Sequence, residues 1–352
     1  MEKHGYYLHD DPSIPRTFLP CFTHEYLTYF SVLPSPIMNR PEVKVQPNPR
    51  FGDWEVGPKH EDVYIEGGVK KRELDPFETF DCMEKNGDFP RDPPDATVAP
   101  WSILLYYCTE PDRNLDCDLN LHWTQKLTKG SHALRHMQFS YLGLPIGQLV
   151  KTFWYHVDAA GRAGKKGNEY WKWRFLARAL HYLQDLGHPF HAKVAPTKEM
   201  LFGFFKKGFF KRLSAAHNSY EVYTQYKFRQ EDRRFKEALI QGSKEGLQSD
   251  IGFKKALKSY KKHAMNQLSP IYNTLLDTFG DELVAIYDVM DQYKDEDPAK
   301  QTLMAESNTQ ALIFKDEDHP ALEYLEEITT SLIERVGFIT GLFLQHYLNN
   351  RV

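Results

Sequence analysis

The chain has no apolar run long enough to cross a bilayer as a helix, so no transmembrane segment is expected. Its opening residues, Met-Glu-Lys-His-Gly-Tyr-Tyr, lack the succession of basic, apolar and small residues that marks a cleaved export signal. Cysteine is scarce. Cys21, Cys82, Cys108 and Cys117 all fall in the first third without C-x-x-C spacing, so they form no obvious metal set, and both disulfides and reduced thiols are open. The net charge of −4 gives no global attraction to nucleic acid and leaves only a local basic patch as an option. An internal repeat, a series of strand-like segments, a Ser/His/Asp order and a phosphate-cradling glycine loop are all missing. What is present is 352 residues, 41% hydrophobic and rich in aromatics, enough for a large core. The expectation is an all-α, multi-helix architecture in one domain over residues 1–352, with a loop-rich region at about 34–120.

The densest chemistry lies in His181-Tyr-Leu-Gln-Asp-Leu-Gly-His-Pro-Phe-His191. His181 and Asp185 are four apart, within about 40° of each other on a helix, close enough to grip one ion. The run leading in (Tyr170, Trp171, Trp173, Phe175, Leu176, Ala177, Ala179, Leu180) is apolar on nearly all sides, as in a helix inside the protein. A buried His and Asp need partners there, and a cation satisfies both. Gly187 and Pro189 break the helix and throw His191 off its end. His217-Asn-Ser-Tyr-Glu221 then repeats the four-residue spacing. A lone helical His is ordinarily a hydrogen-bonded core or surface residue, but five donors of the His and carboxylate types point to a multinuclear metal site suited to zinc.

Elsewhere, residues 1–20 read as an extended lead-in, and a helix begins near Thr23 with His24 in its first turn and Pro34 as its stop. From Pro34 to about residue 100 the sequence is rich in Pro, Gly and Asp, with only Trp54 to Asp62 looking ordered by itself. Asn120-Leu-His-Trp123 follows, then a long helical stretch from about Ser131, interrupted at Pro145. Between the two ligand pairs lies Leu201-Phe-Gly-Phe-Phe-Lys-Lys-Gly-Phe-Phe-Lys-Arg-Leu213. It reads either as a packed loop or helix edge, or as an interfacial element in which Phe204, Phe205, Phe209 and Phe210 enter an acyl boundary while Lys206 and Lys207 meet lipid phosphates. The charged run Phe253 to Lys262 reads as a solvated helix face, and a last helix from about Leu322 to Tyr347 closes the bundle.

HYLQDLGHPFH followed by HNSYE resembles the zinc-dependent phospholipase C family, which shares its all-α fold and a trinuclear zinc site with fungal single-strand-specific nucleases. The resemblance implies that His181 and Asp185 bind a first zinc, with Asp185 bridging to a third, while His191, His217 and Glu221 hold the second. Thr23-His24 is similar to the family's early histidine at the third zinc. Gly57-Pro-Lys-His-Glu-Asp62 resembles the segment supplying an aspartate to the first zinc, which implies Asp62, with Asp53 as its rival. His122, followed by Trp123, resembles the histidine that completes that set, with His132 and His136 as alternatives. Thr340-Gly-Leu-Phe is similar to the family's last helix.

The implied cofactor is therefore two or three zinc ions, and the implied reaction is hydrolysis of a phosphodiester. Phospholipid is the first substrate, cleaved to diacylglycerol and a phosphorylated headgroup, with peripheral membrane contact. In this reading Asp62 accepts or orients the proton of the attacking water, and the second zinc stabilises charge on the phosphoryl and leaving oxygens. The alternatives are a single-strand nuclease of the same fold, and a catalytically silent protein that binds zinc and membrane. Two expectations conflict with the family pattern. Members expose a mature N-terminal Trp that binds the third zinc, yet no Trp precedes His24, so either His4, His9 or Asp11 substitutes or that position is weak or empty. The family also implies export, which the signal-less opening does not match.

Overall fold

A computed structural model describes residues 23–46, 96–113, 135–138, 140–141, 144–145, 147–193, 195–196, 208–230, 232–292, 298–316 and 318–349. These residues are predominantly helical, with two short antiparallel ladders: β1 (Val43–Lys44) pairs β2 (Thr97–Val98), and β3 (Ser140–Tyr141) pairs β4 (Leu144–Pro145). No described helix is long and apolar enough to cross a membrane. The chain divides into two compact units between Leu186 and Gly187, a point inside the His181–His191 motif.

In the first unit, α1 (Thr23–Val32) ends just before Leu33-Pro34, and α2 (Pro100–Tyr107) starts with proline at the first helical position, where no amide donor is needed. A 3-10 turn at Pro111–Arg113 follows α2. Of the helix expected to run on from Ser131, Arg135 and His136 are helical but 137–138 are not, and the β3–β4 ladder follows, where Pro145 has no amide proton and disfavours helical backbone at Leu144. Then come α3 (Leu149–Lys165) and α4 (Glu169–Asp185), which pack together, with α2 also against α4. Asn168 caps α4 by accepting the Trp171 amide at 3.0 Å. Trp171, Trp173, Leu176, Leu180 and Leu183 are buried, each contributing about 1.5–3 kcal/mol by leaving water. So α4 is the central helix of this unit, as its apolar flank suggests.

The second unit contains α5 (Pro189–Ala192), α6 (Phe209–Arg229), α7 (Arg233–Gln248), α8 (Phe253–Gln292), α9 (Pro298–Ile313) and α10 (Pro320–Leu348). Along the start of α8, Phe253, Ala256, Leu257 and Tyr260 are buried while Lys254, Lys255 and Lys258 are exposed, so this charge run is a solvated face. The helical run breaks at Gly280, whose φ of 41° and ψ of −123° leave the helix. Helices α7 and α10 meet through Gly242 and Gly246 on one and Gly337 and Gly341 on the other; a methyl on Gly246 would overlap the Phe338 carbonyl oxygen, and one on Gly341 the Ser243 carbonyl oxygen. Gly187 is required for a similar reason: a Cβ there would overlap the Tyr260 hydroxyl of α8.

Candidate metal centres

In the first unit α4 carries His181 and Asp185 one turn apart, both buried. Asp185 Oδ2 lies 2.8 Å from His136 Nδ1 and 3.3 Å from His181 Nε2, and the two nitrogens are 3.0 Å apart. A tetrahedral zinc with bonds of about 2.0–2.1 Å holds its ligand atoms about 3.4 Å from one another, close to these edges. A single proton on one edge satisfies two of the three atoms and leaves the third lone pair facing them, and protons on both imidazoles set two N–H groups against each other, whereas a cation serves all three.

The other Asp185 oxygen is also engaged: Oδ1 is 3.4 Å from His24 Nε2. His24 Nδ1 donates to Gln184 Oε1 at 2.8 Å, and Gln184 Nε2 donates to Thr28 Oγ1 at 2.9 Å. This relay fixes the imidazole so that Nε2 is the atom turned to the carboxylate. Burial opposes charge on His24, but Asp185 outweighs it and raises the imidazole above its ordinary pKa. Asp112, in the turn after α2, brings Oδ1 to 3.5 Å from His181 Nε2 and 3.8 Å from His136 Nδ1. Asp185 thus stands between two sets of donors, His136 and His181 on one oxygen and His24 on the other.

Asp112 is held in place by its neighbour two residues back. Glu110 Oε2 accepts from Arg178 Nε at 2.7 Å, and Oε1 accepts from Arg174 Nε at 3.0 Å, the two arginines lying one turn apart on α4. Burial works to raise the Glu110 carboxyl, but Arg174 and Arg178 hold it below the usual carboxylate range. The same helix therefore carries two of the cluster's donors and the cations that anchor the segment bearing a third.

The second unit has its own cluster. Pro189 starts the one-turn helix α5, with His188 in extended backbone as its cap, so that His188 and His191 are three apart and adjacent. His217 and Glu221 lie one turn apart on α6. His191 Nε2 is 2.9 Å from His217 Nε2, and Glu221 Oε1 is 3.1 Å from His217 Nε2 and 3.4 Å from His191 Nε2, a triangle of nearly the same size as the first. Phe190 stacks on the His217 ring with centroids 5.3 Å apart. Burial pushes the Glu221 carboxyl up, but the His217 charge and hydrogen bonds from His191 and His217 carry it well below the usual range. His188 joins the group: one ligand atom from each of His188, His191, His217 and Glu221 lies within 4.8 Å of the others.

Of the residues expected from sequence, His24, His181 and Asp185 meet in the first unit, and His191, His217 and Glu221 meet in the second. Asp62, its rival Asp53, His122, His132, His4, His9 and Asp11 lie outside the described residues, as do Phe204, Phe205, Lys206 and Lys207. His136, an alternative to His122, is in the first cluster. Asp112 and His188 were not foreseen. Phe209 is turned into the core, 5% exposed, because it opens the first buried stripe of α6, so among the described phenylalanines of that segment Phe210 alone faces solvent. Cys108 is a buried free thiol and belongs to neither cluster's set of donors. No protein-family model, no curated protein and no solved structure matches the chain.

Proposed function

We propose that the protein is a zinc-dependent phosphodiester hydrolase of the phospholipase C type. The observation that carries this reading is Asp185, whose two oxygens face His24 on one side and His136 and His181 on the other, the arrangement of a carboxylate shared by two ions. The donors are imidazoles and carboxylates, the set that suits zinc. His136, His181, Asp112 and one Asp185 oxygen would hold one ion, and His24 with the other Asp185 oxygen a second. Bound zinc supplies Lewis acidity, neutralising phosphate charge and bringing the pKa of its water to about 7.

The chain's own groups divide the remaining work. Asp185, with a side chain 1% exposed, only holds and orients. Asp112, at 12%, is the carboxylate at the cluster's accessible edge, and it accepts the proton of the attacking water, the role the resemblance gave to Asp62. Gln184 keeps the His24 ring in the ligating tautomer. A phospholipid substrate is supported by Phe210, 62% exposed, followed by exposed Lys211 and Arg212 at the start of α6.

The test is hydrolysis by the zinc-loaded full chain, offered phosphatidylcholine vesicles and single-stranded DNA in parallel. Release of phosphocholine and diacylglycerol is expected. Nucleotide release alone would move the substrate to nucleic acid, and zinc binding with neither product would make this a silent binding protein.

A further inference from the structure

The resemblance gives the second zinc three protein ligands, His191, His217 and Glu221, yet the structure gathers a fourth donor there. We infer that His188 completes a closed, four-ligand zinc site with His191, His217 and Glu221, and that this site holds the second unit's structure and not the substrate. The inference rests on the reading that these clusters bind zinc.

Three features carry it. His188 is not turned away: its ring centroid lies 4.7 Å from that of His191, 5.2 Å from His217 and 5.2 Å from Tyr220, so it sits among the other ligands. The neighbouring Tyr220 is itself fixed, 2% exposed and sharing a hydrogen bond of 3.0 Å with Thr329 of α10, which leaves that side of the His188 ring a firm wall. Finally, the backbone is built to aim it, since Pro189 holds His188 extended and starts the single turn that brings His191 round beside it.

Four protein donors fill a tetrahedral zinc. Structural zinc sites are closed in this way, whereas catalytic ones keep three protein ligands and an open position for water or substrate. A filled shell here ties the Gly187–Ala192 turn to α6 by two ligands from each. The site is closed by its four donors and not by burial, since the His217 and Glu221 side chains are 16% and 31% exposed; open positions remain at the ion that His24 and one Asp185 oxygen would hold with two protein donors.

Cadmium NMR of the full chain tests this, because each bound ion gives its own signal and halide added to the solution moves a signal only where a coordination position is open. The signal lost in His217→Ala marks the second unit's site. In the wild type it is expected to stay put as bromide is added, and in His188→Ala to move. Cadmium binding at this site is expected to weaken in His188→Ala by at least the roughly 10–100-fold that loss of even an outer partner costs a metal site. A shift with bromide in the wild type of the signal that His217→Ala removes overturns the proposal, as does a His188→Ala protein with unchanged cadmium affinity and halide response; either result leaves zinc binding by the other three residues intact. If His217→Ala loses no signal, the second unit binds no metal, and both this inference and the reading beneath it fail.

Discussion

His136 Nδ1 and His181 Nε2 face each other across 3.0 Å in a buried setting, with Asp185 Oδ2 within hydrogen-bonding distance of the first. Protons on both nitrogens would let each donate to Asp185 but would bring two N–H groups face to face, whereas an ion serves all three atoms, so bound metal is expected to supply much of this unit's stability. Zinc held at about 1,000 times its dissociation constant adds about 4 kcal/mol per site. Thermal unfolding with zinc and with a chelator reads this directly, with a midpoint higher by several degrees in zinc expected. Equal midpoints would sink the idea that the clusters are metal sites.

Asp112→Asn preserves size and removes the proposed proton acceptor. At saturating zinc, turnover is expected to fall by about 10²–10⁴-fold, the range for loss of a general base. Zinc content of the same protein, measured alongside, separates the two roles of this carboxylate: full content with lost turnover assigns the proton, and full content with full turnover contradicts the assignment.

Glu110→Gln leaves Arg174 and Arg178 buried without their counter-charge. Removing one partner of a buried ion pair costs about 3–5 kcal/mol. The expected result is a large fall in the denaturant midpoint together with weaker zinc binding, since the segment carrying Asp112 loses its anchor. A variant as stable as the wild type would show that the pairs with α4 contribute nothing net.

The parts of the candidate site legible in the sequence were the local ones. His181 with Asp185, and His217 with Glu221, declare themselves because four-residue spacing is a helical repeat that needs no knowledge of the fold. Asp112 and His136 reach the first cluster from distant segments, and no spacing encodes that approach; the available hint was an acidic pair, Glu110 and Asp112, flanking a proline directly after the buried apolar helix α2. His188 lies inside the motif but three residues from Asp185 across the break at Gly187 and Pro189, so helical spacing from His181 and Asp185 does not reach it. The long helices were legible too, with α10 running Pro320–Leu348 against an expected Leu322 to Tyr347. The β3–β4 ladder was not, since two-residue strands carry no alternation to detect.

The spacing Gly242-x-x-x-Gly246 facing Gly337-x-x-x-Gly341 gives a prediction that runs against helix propensity. Alanine is the better helix former by about 1 kcal/mol, yet Gly246→Ala places a methyl on the Phe338 carbonyl oxygen. Net destabilisation of about 1–3 kcal/mol is expected from overpacking. Urea unfolding at several wavelengths measures it, and a neutral or stabilising result would mean that α7 and α10 do not approach so closely.

The most direct test of the central claim is the zinc content of the purified, folded full chain, set beside that of His181→Ala and His217→Ala. About three zinc ions per chain are expected, with His181→Ala losing those of the first cluster and His217→Ala losing only that of the second. A folded wild-type chain that holds no zinc after exposure to it would contradict zinc binding at either cluster.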